Sequence, residues 1–278
     1  MKSNVNFNKD LITTIDKVEN ERLSIEILQY DDLTGGNSAS DSMMLYFMKK
    51  SNVKLRQVKM TMKNTAVRLE AGALYMLKGD IEMDNKMGGL MGLGKKFLKS
   101  SVTGETTFRP TYKGSGELYL EPSYGHYVII ELENEEVIVD DGVFYACEDT
   151  VDVGVFMQKN LSSAVLGNEG LFQVKLSGTG FVVLEVSVPK EEILEIELNN
   201  ETLKVDGNFA ILRTEGVVFT VETSSKSLIG SATSGEGLLN VFKGRGKLWL
   251  VPTEVAYRRL GYGVGRMSNP GGSSNTRV

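Results

Sequence analysis

The residue types best suited to nucleophilic catalysis or metal binding are scarce in this chain. His126 is the single histidine and Cys147 the single cysteine among 278 residues. An imidazole-activated nucleophile would have to use His126, and no carboxylate stands at motif spacing to orient its ring. A zinc site needs three or four such ligands and is not expected. We interpret His126 as a turn or surface residue, and we predict that the protein is not an enzyme.

Three glutamates could form a different kind of site, because each lies close to a glycine in a similar context. They are Glu105, Glu169 and Glu236. If symmetry brought them together, their carboxylates could hold a hard cation such as Ca²⁺, which takes oxygen ligands. The alternative is structural, with each carboxylate accepting hydrogen bonds from backbone N–H groups of its own glycine-rich turn. Carboxylates alone are an unspecific signal, so we favour the structural role and predict neither a metal nor another cofactor.

A G-x-G triplet follows each of these three glutamates eight or nine residues later. A phosphate-binding loop would require a strand, the glycines and then a helix N-terminus. Each triplet here leads instead into a strand-like sequence, such as Phe181 to Leu184. We therefore predict structural glycines in tight turns between strands or in bulges, where a Cβ is poorly tolerated. The six glycines are Gly114, Gly116, Gly178, Gly180, Gly244 and Gly246.

The segment 87–99 is the best candidate for a binding surface. It combines apolar side chains with lysines and contains no acidic residue. Such a combination suits an anionic membrane surface or a groove on a partner protein. The alternative is a flap whose apolar residues cover the end of the core while its lysines reach water. The candidate contact residues are Leu90, Met91, Leu93, Lys95, Lys96, Phe97 and Lys99.

These candidates are embedded in a pattern that occurs three times along the chain. Val67 corresponds to Val137 and then to Leu203 at nearly constant spacing. In each copy, apolar residues alternate on both sides of a short polar stretch, which is typical of a β-hairpin. The acidic residues that end the pattern are Glu70, Asp140 and Asp206.

This repetition predicts an all-β fold built from three tandem units. A single unit of this size could not bury its apolar face alone, so the copies must pack on one another. The copies are 58–123, 127–187 and 193–253, most simply arranged around a pseudo-threefold axis. The first copy is the longest, and its additional residues fall near 87–99, where an insertion often serves function.

The repeats are flanked by two segments of different character. Residues 1–57 are expected to pack on the main fold, with the apolar run 43–48 as a short buried strand, since it is too short to span a membrane. Residues 254–278 are basic and are expected to be largely disordered.

Three ordered motifs carry a family resemblance over 58–253. They are EAGALYM at 70–76, ACEDTVDV at 146–153, and SGEGL at 234–238 running on to Trp249 and Leu250. Together they resemble a family of bacterial and mitochondrial proteins, formerly a domain of unknown function, whose eukaryotic member is named for altered inheritance of mitochondria. The resemblance implies three units like the subunit of the tryptophan RNA-binding attenuation protein (TRAP), in a double-stranded β-helix or sandwich. It implies no established activity, and it associates the mitochondrial member with inner-membrane organisation.

Composition and net charge restrict the classes of function that are expected for this protein. A net charge of −5 at pH 7 argues against a general nucleic-acid binder, which needs a basic surface. There is no apolar run near the ~20 residues of a membrane-spanning helix, and the first residues do not form a signal peptide. A lone cysteine fits a reducing compartment. We therefore expect a cytoplasmic protein.

The features together favour a non-enzymatic structural or scaffolding protein that acts by surface recognition. Its partner would be another protein or an anionic membrane surface, met by peripheral association, and homo-oligomers are compatible with the sequence. The alternative is a small-ligand-binding β protein with a pocket between repeats. A filled core would favour the first hypothesis, and a cavity of several hundred Å³ with converging polar groups the second.

Overall fold

The computed structural model describes residues 11–84, 109–158, 171–223 and 238–261. In these ranges the chain forms one antiparallel sheet of 13 strands and two α-helices. The predicted all-β class is confirmed. The strands are β1 Ile12–Glu19, β2 Leu23–Tyr30, β3 Arg56–Leu69, β4 Leu74–Met83, β5 Thr111–Leu120, β6 His126–Val139, β7 Phe144–Glu148, β8 Val151–Gln158, β9 Leu171–Val186, β10 Leu194–Asp206, β11 Ala210–Thr214, β12 Val217–Thr223 and β13 Leu238–Leu250. The helices are α1 Ala39–Lys50 and α2 Glu254–Gly261, and a 3-10 turn spans Lys190–Glu192.

Each predicted copy contains one long antiparallel pair: β3 with β5, β6 with β9, and β10 with β13. The predicted hairpins within β3, β6 and β10 are wrong, because each strand continues through its polar stretch. The pairing register shifts there around Asn64, Asn134 and Asn200, which have φ of 48°, 58° and 61°. A β-bulge and a turn both favour residues that tolerate a left-handed backbone. The residue types alone therefore could not distinguish the two.

The G-x-G triplets lie inside β5, β9 and β13, directly opposite these bulges, and not in turns between strands. All six glycines have positive φ, with 123° at Gly178 and 145° at Gly180. Side chains of β7 and of the turn after it also approach Gly180 closely. A Cβ built on Gly180 would lie 2.7 Å from both Glu148 Oε2 and Thr150 Oγ1.

The strands follow one another along the sheet in the order β1-β2-β3-β7-β9-β6-β11-β13-β10. The N-terminal strands join the first copy, since β2 pairs along the outer edge of β3 with Ile25 opposite Met60. Short strands link the copies: β7 pairs with both β9 and β3, and β11 pairs with both β13 and β6. Among the described strands this path is open, with β1 at one end and β10 at the other.

The buried apolar residues of the described ranges form three clusters along this path. The first contains Ile25, Met60 and Leu118, and it takes in Tyr145 from the second copy. The second is centred on Leu176 and Val182 and includes Ile211 of the third copy, while the third surrounds Phe219 and Phe242. Residues from a following copy thus complete the core of the preceding one.

One prediction about the flanking segments needs correction. The run 43–48 is not a buried strand but part of α1, which buries none of its residues. Ser38 caps this helix by accepting a hydrogen bond from the Asp41 N–H at 3.1 Å, and Lys49 and Lys50 complement the dipole at its last turn. A short apolar run has no periodicity that separates strand from helix. The tail begins with α2, and its part beyond Tyr262, for which disorder is predicted, lies outside the described residues.

Replacing Gly180 by valine is expected to lower the free energy of unfolding by about 2–4 kcal/mol, since left-handed backbone strain and a steric clash act together. Urea denaturation provides the measurement. Gly154→Val is the matched control, because Gly154 also lies in a strand but a Cβ there would meet its nearest atoms, on Lys175, at 4.0 Å. Equal unfolding midpoints for the two variants would contradict the requirement for glycine at position 180.

Candidate functional site

An open cleft of about 800 Å³ lies where the first and second copies meet. Gly114 and Gly180, one glycine from each of the first two triplets, form part of its wall. The backbone is therefore exposed there without side-chain cover. The remaining wall comes from the β1–β2 turn, the bulge of β3, strands β4, β5, β6 and β9, and the turn after β7. The other lining residues are Asn20, Glu21, Arg22, Asn64, Thr65, Ala66, Asp80, Glu82, Lys113, Glu131, Glu148, Asp149, Thr150 and Thr179.

Glu148 holds the back of the cleft together. Its side chain is buried, with Oε1 accepting a hydrogen bond from Asn20 Nδ2 at 2.8 Å and Oε2 accepting one from the Phe181 N–H at 2.8 Å. These bonds connect the β1–β2 turn, β7 and β9. At the rim, Arg68 forms an ion pair with Asp149 at 3.2 Å. The shape of the cleft therefore depends on contacts between copies and on the N-terminal strands.

The cleft is predominantly acidic. Arg22 and Lys113 are the basic residues that line it, and Lys113 approaches Glu82 at 3.7 Å and Asp84 at 3.8 Å. The described residues contain no group of three or more His, Cys, Asp or Glu side chains placed to hold a metal ion. An acidic, open cleft of this kind favours a small organic cation. The acidic lining residues are Glu21, Asp80, Glu82, Glu131, Glu148 and Asp149.

The middle residue of the triplet has a role that the sequence analysis missed. The bulged Asn64 donates its backbone N–H to Ser115 Oγ at 2.8 Å, and Asn134 donates its own to Thr179 Oγ1 at 2.9 Å. A hydroxyl between the two glycines was the available signal, because a bulge leaves a backbone donor to be satisfied. Arg245 occupies this position in the third copy.

His126 and Cys147 are both placed in strands. His126 begins β6 half-buried, and burial lowers its pKa, with the positive charge of Arg56 acting in the same direction. Cys147 is buried in β7, and its thiol lies 3.9 Å from the Val151 carbonyl oxygen. Burial raises the pKa of this thiol to about 12. It is therefore protonated and inaccessible at neutral pH.

The other predicted site residues lie outside the described residues, and their roles stay predictions. This holds for the three motif glutamates and for the candidate contact segment. They are Glu105, Glu169 and Glu236, with Leu90, Met91, Leu93, Lys95, Lys96, Phe97 and Lys99.

Helix α1 forms a second candidate surface, which the sequence analysis assigned to the core. Met43, Met44, Tyr46 and Phe47 are exposed, whereas Leu45 and Met48 are half-buried. At 100° per residue the exposed side chains occupy one side of the helix and the half-buried ones the other. The Tyr46 and Phe47 rings meet edge to face, with 5.4 Å between centroids.

Lysines border this apolar face. The Lys50 ammonium lies 5.7 Å from the centroid of the Tyr46 ring. Lys49 and Lys54 pair with Asp32 at 2.6 and 2.9 Å, and their hydrogen bonds hold the pKa of that carboxyl below its usual range. Neither described helix is long and apolar enough to cross a membrane.

The described strands and the cleft define an all-β protein built on one large antiparallel sheet. The chain belongs to the family described as mitochondrial biogenesis AIM24, which matches residues 47–253. The predicted family is confirmed. Because the match begins at residue 47, strands β1 and β2 and most of α1 precede it.

The chain is also similar to proteins of Streptococcus pyogenes. An uncharacterized protein of Streptococcus pyogenes serotype M6 is 25% identical over 193 residues, covering 66% of this chain and 76% of that protein. A crystal structure of another Streptococcus pyogenes protein has a TM-score of 0.54 at 21% identity. It covers 76% of this chain and 94% of its own chain. At this identity the structural similarity shows the fold alone.

Cys147 is expected to resist thiol reagents in the native protein, because it is buried and its thiolate fraction at neutral pH is very small. Labelling with a maleimide should be negligible without denaturant and should reach one group per chain in urea. Rapid labelling of the native protein would show that β7 opens readily.

Proposed function

We propose that this protein is a non-enzymatic structural or scaffolding protein that acts by surface recognition, and that α1 attaches it peripherally to an anionic membrane. The exposed apolar face of α1 carries the proposal. Met43, Met44 and Phe47 are exposed to solvent. The helix that presents them is stabilised by caps at both ends. Aromatic and apolar residues bordered by lysines are typical of helices that lie in the membrane interface.

Magnitudes indicate weak, reversible attachment. Complete burial of a Met or Phe side chain contributes about 1.5–3 kcal/mol, and these side chains are already partly covered. A lysine near an anionic bilayer contributes about 1 kcal/mol, which salt reduces. The net charge of −5 opposes the approach of the whole chain to such a surface. We therefore expect salt-sensitive association without insertion across the bilayer.

The repeat architecture belongs to the same proposal. We infer that 58–123, 127–187 and 193–253 are copies of one unit of the kind that the family resemblance implies. The three asparagine bulges opposite glycine triplets support this inference. A second register shift, at Tyr75, Tyr145 and Ile211, recurs where the next strand begins.

Co-sedimentation with vesicles containing phosphatidylserine tests the membrane proposal. Phe47→Ser is expected to weaken binding about tenfold, the equivalent of 1.4 kcal/mol. Val218→Ser is the matched control, since Val218 is 58% exposed on β12 and Phe47 is 59% exposed on α1. Binding of the wild type should decrease at high salt and on vesicles of phosphatidylcholine alone.

Two results would contradict this function: absence of wild-type binding, or equal loss of binding in the two variants. The same assay tests the predicted contribution of 87–99 through the Lys95→Glu/Lys96→Glu/Phe97→Ser variant. If only that variant lost binding, the contact would lie in 87–99 and not in α1.

Ligand binding in the cleft is a second candidate function, favoured by the volume of the cleft and its acidic lining. A small organic polycation is the expected ligand, and isothermal titration with spermidine provides the measurement. Glu131→Gln should raise the dissociation constant several-fold by removing a charge from the cleft. Glu197→Gln is the matched control, because Glu197 holds the same position in the third copy and does not line the cleft. Equal heats for both variants would indicate non-specific charge attraction.

A further inference from the structure

The short strands β7 and β11 show how one copy attaches to the preceding one. In β7, Ala146 lies opposite Leu69 of β3, and Cys147 lies opposite Arg68. The next attachment repeats this geometry, with Leu212 of β11 opposite Val139 of β6. In both cases the other edge of the short strand pairs within its own copy.

Backbone hydrogen bonds close both attachments in the same way. The Glu70 N–H donates to the Tyr145 carbonyl at 2.8 Å, and the Asp140 N–H donates to the Ile211 carbonyl at 3.0 Å. At the far end, Asp149 donates to Ala66 at 3.1 Å, and Glu215 donates to Glu136 at 3.2 Å. The acid that ends each long strand thus marks where the following copy attaches.

The first copy contains a counterpart of β7 and β11, but there is no preceding copy with which this strand could pair. The first half of β4 occupies this position, and among the described strands β4 pairs with β5 alone. Tyr75 is 56% exposed there, whereas its counterparts Tyr145 and Ile211 are each 8% exposed. Met76 is 46% exposed, and its counterpart Ala146 is fully buried. An apolar strand edge therefore faces outward.

The third copy carries the matching edge without a following copy. Strand β10 ends the sheet path of the described residues, and its other edge pairs with β13. Residues 203–205 of β10 correspond to 67–69 of β3 and 137–139 of β6. Lys204 is exposed on β10, where its counterpart Ile138 on β6 is buried. Among the described residues, these two unpaired strand edges are thus complementary halves of one repeated contact.

We propose that β10 of one molecule pairs with β4 of a second copy of this chain, continuing the sheet between molecules. The register follows from the two internal attachments: Val205 opposite Met76, Lys204 opposite Leu77, and Leu203 opposite Lys78. The Asp206 N–H would donate to the Tyr75 carbonyl of the partner copy.

This contact is heterologous, because it joins different surfaces of identical chains. Such contacts form rings where the rotation closes and open chains where it does not. Exposed apolar strand edges favour the addition of another strand, because pairing satisfies backbone groups and covers side chains. The contact is independent of α1 and of membrane attachment.

Static light scattering across a concentration series tests the association. The wild-type chain should reach at least twice the mass of one chain, and Leu77→Pro should keep the mass of one chain. Proline removes an edge donor and is tolerated on edge strands. An unchanged circular dichroism spectrum would show that the variant folds. A wild-type chain that stays monomeric at the highest concentration would overturn the proposal.

Disulfide cross-linking tests the register without relying on proline. Lys78→Cys and Leu203→Cys correspond to the facing residues Glu148 and Val67 of the first internal attachment. The flanking hydrogen bond from Asp149 to Ala66 makes that a non-hydrogen-bonded pair, whose side chains are close enough for a disulfide. Mixing the two single variants under mild oxidation should give covalent dimers.

A register control separates this pairing from random collision. Lys78→Cys mixed with Lys204→Cys shifts the pair by one residue and places the thiols on opposite faces of the sheet, so few dimers are expected. Equal cross-linking in both mixtures would overturn the proposed register. A Lys78→Cys/Leu203→Cys double variant that forms only an internal disulfide would show that the two edges meet within one chain, which also overturns the proposal.

Discussion

The close approach of two backbones at each glycine triplet is the constraint on which the rest of the structure depends. Strands β3, β6 and β10 are long and pass through an asparagine bulge that adds one residue to the pairing. The partner strand accommodates the bulge with glycines at positive φ, because the adjoining chain occupies the space where a Cβ would lie. In two copies a hydroxyl between the glycines accepts the N–H that the bulge leaves free. In those two copies the bulge therefore leaves no unsatisfied backbone donor at the asparagine.

The bulge of the first copy also borders the acidic cleft. Beside it, Glu148 connects the β1–β2 turn to β7 and β9 through its hydrogen bonds with Asn20 and the Phe181 N–H. The second and third predicted copies each supply a short strand, β7 or β11, to the outer edge of the copy before. An attachment of this kind has no natural end within the sheet, so the first and third copies each retain half of it. Helix α1 lies outside the three predicted copies and buries none of its residues, which leaves its apolar face exposed.

Sequence patterns predicted the parts that depend on local alternation and on residues with a special backbone. Alternating apolar residues indicated strands, and the three motifs identified the family. The asparagines and glycines marked positions of left-handed backbone, but whether such a residue ends a strand or bulges within it depends on the partner across the sheet. The prediction of a buried strand at 43–48 was wrong for a related reason. Six apolar residues have no distinctive period, and the capping by Ser38 was a weaker signal than their hydrophobicity.

The sequence by itself determined the all-β class, the threefold recurrence of a motif, and the absence of a second histidine or cysteine for catalysis or zinc. These properties follow directly from the residue types and from their separations along the chain. Only the tertiary structure decided that Glu148 is buried as a hydrogen-bond acceptor, that Cys147 is inaccessible, and that Tyr75 is exposed while Tyr145 is not. Tyr75 and Tyr145 occupy the same place in the motif. They differ because burial depends on whether another copy lies alongside, and that neighbour is brought there by the pairing of strands far apart in sequence.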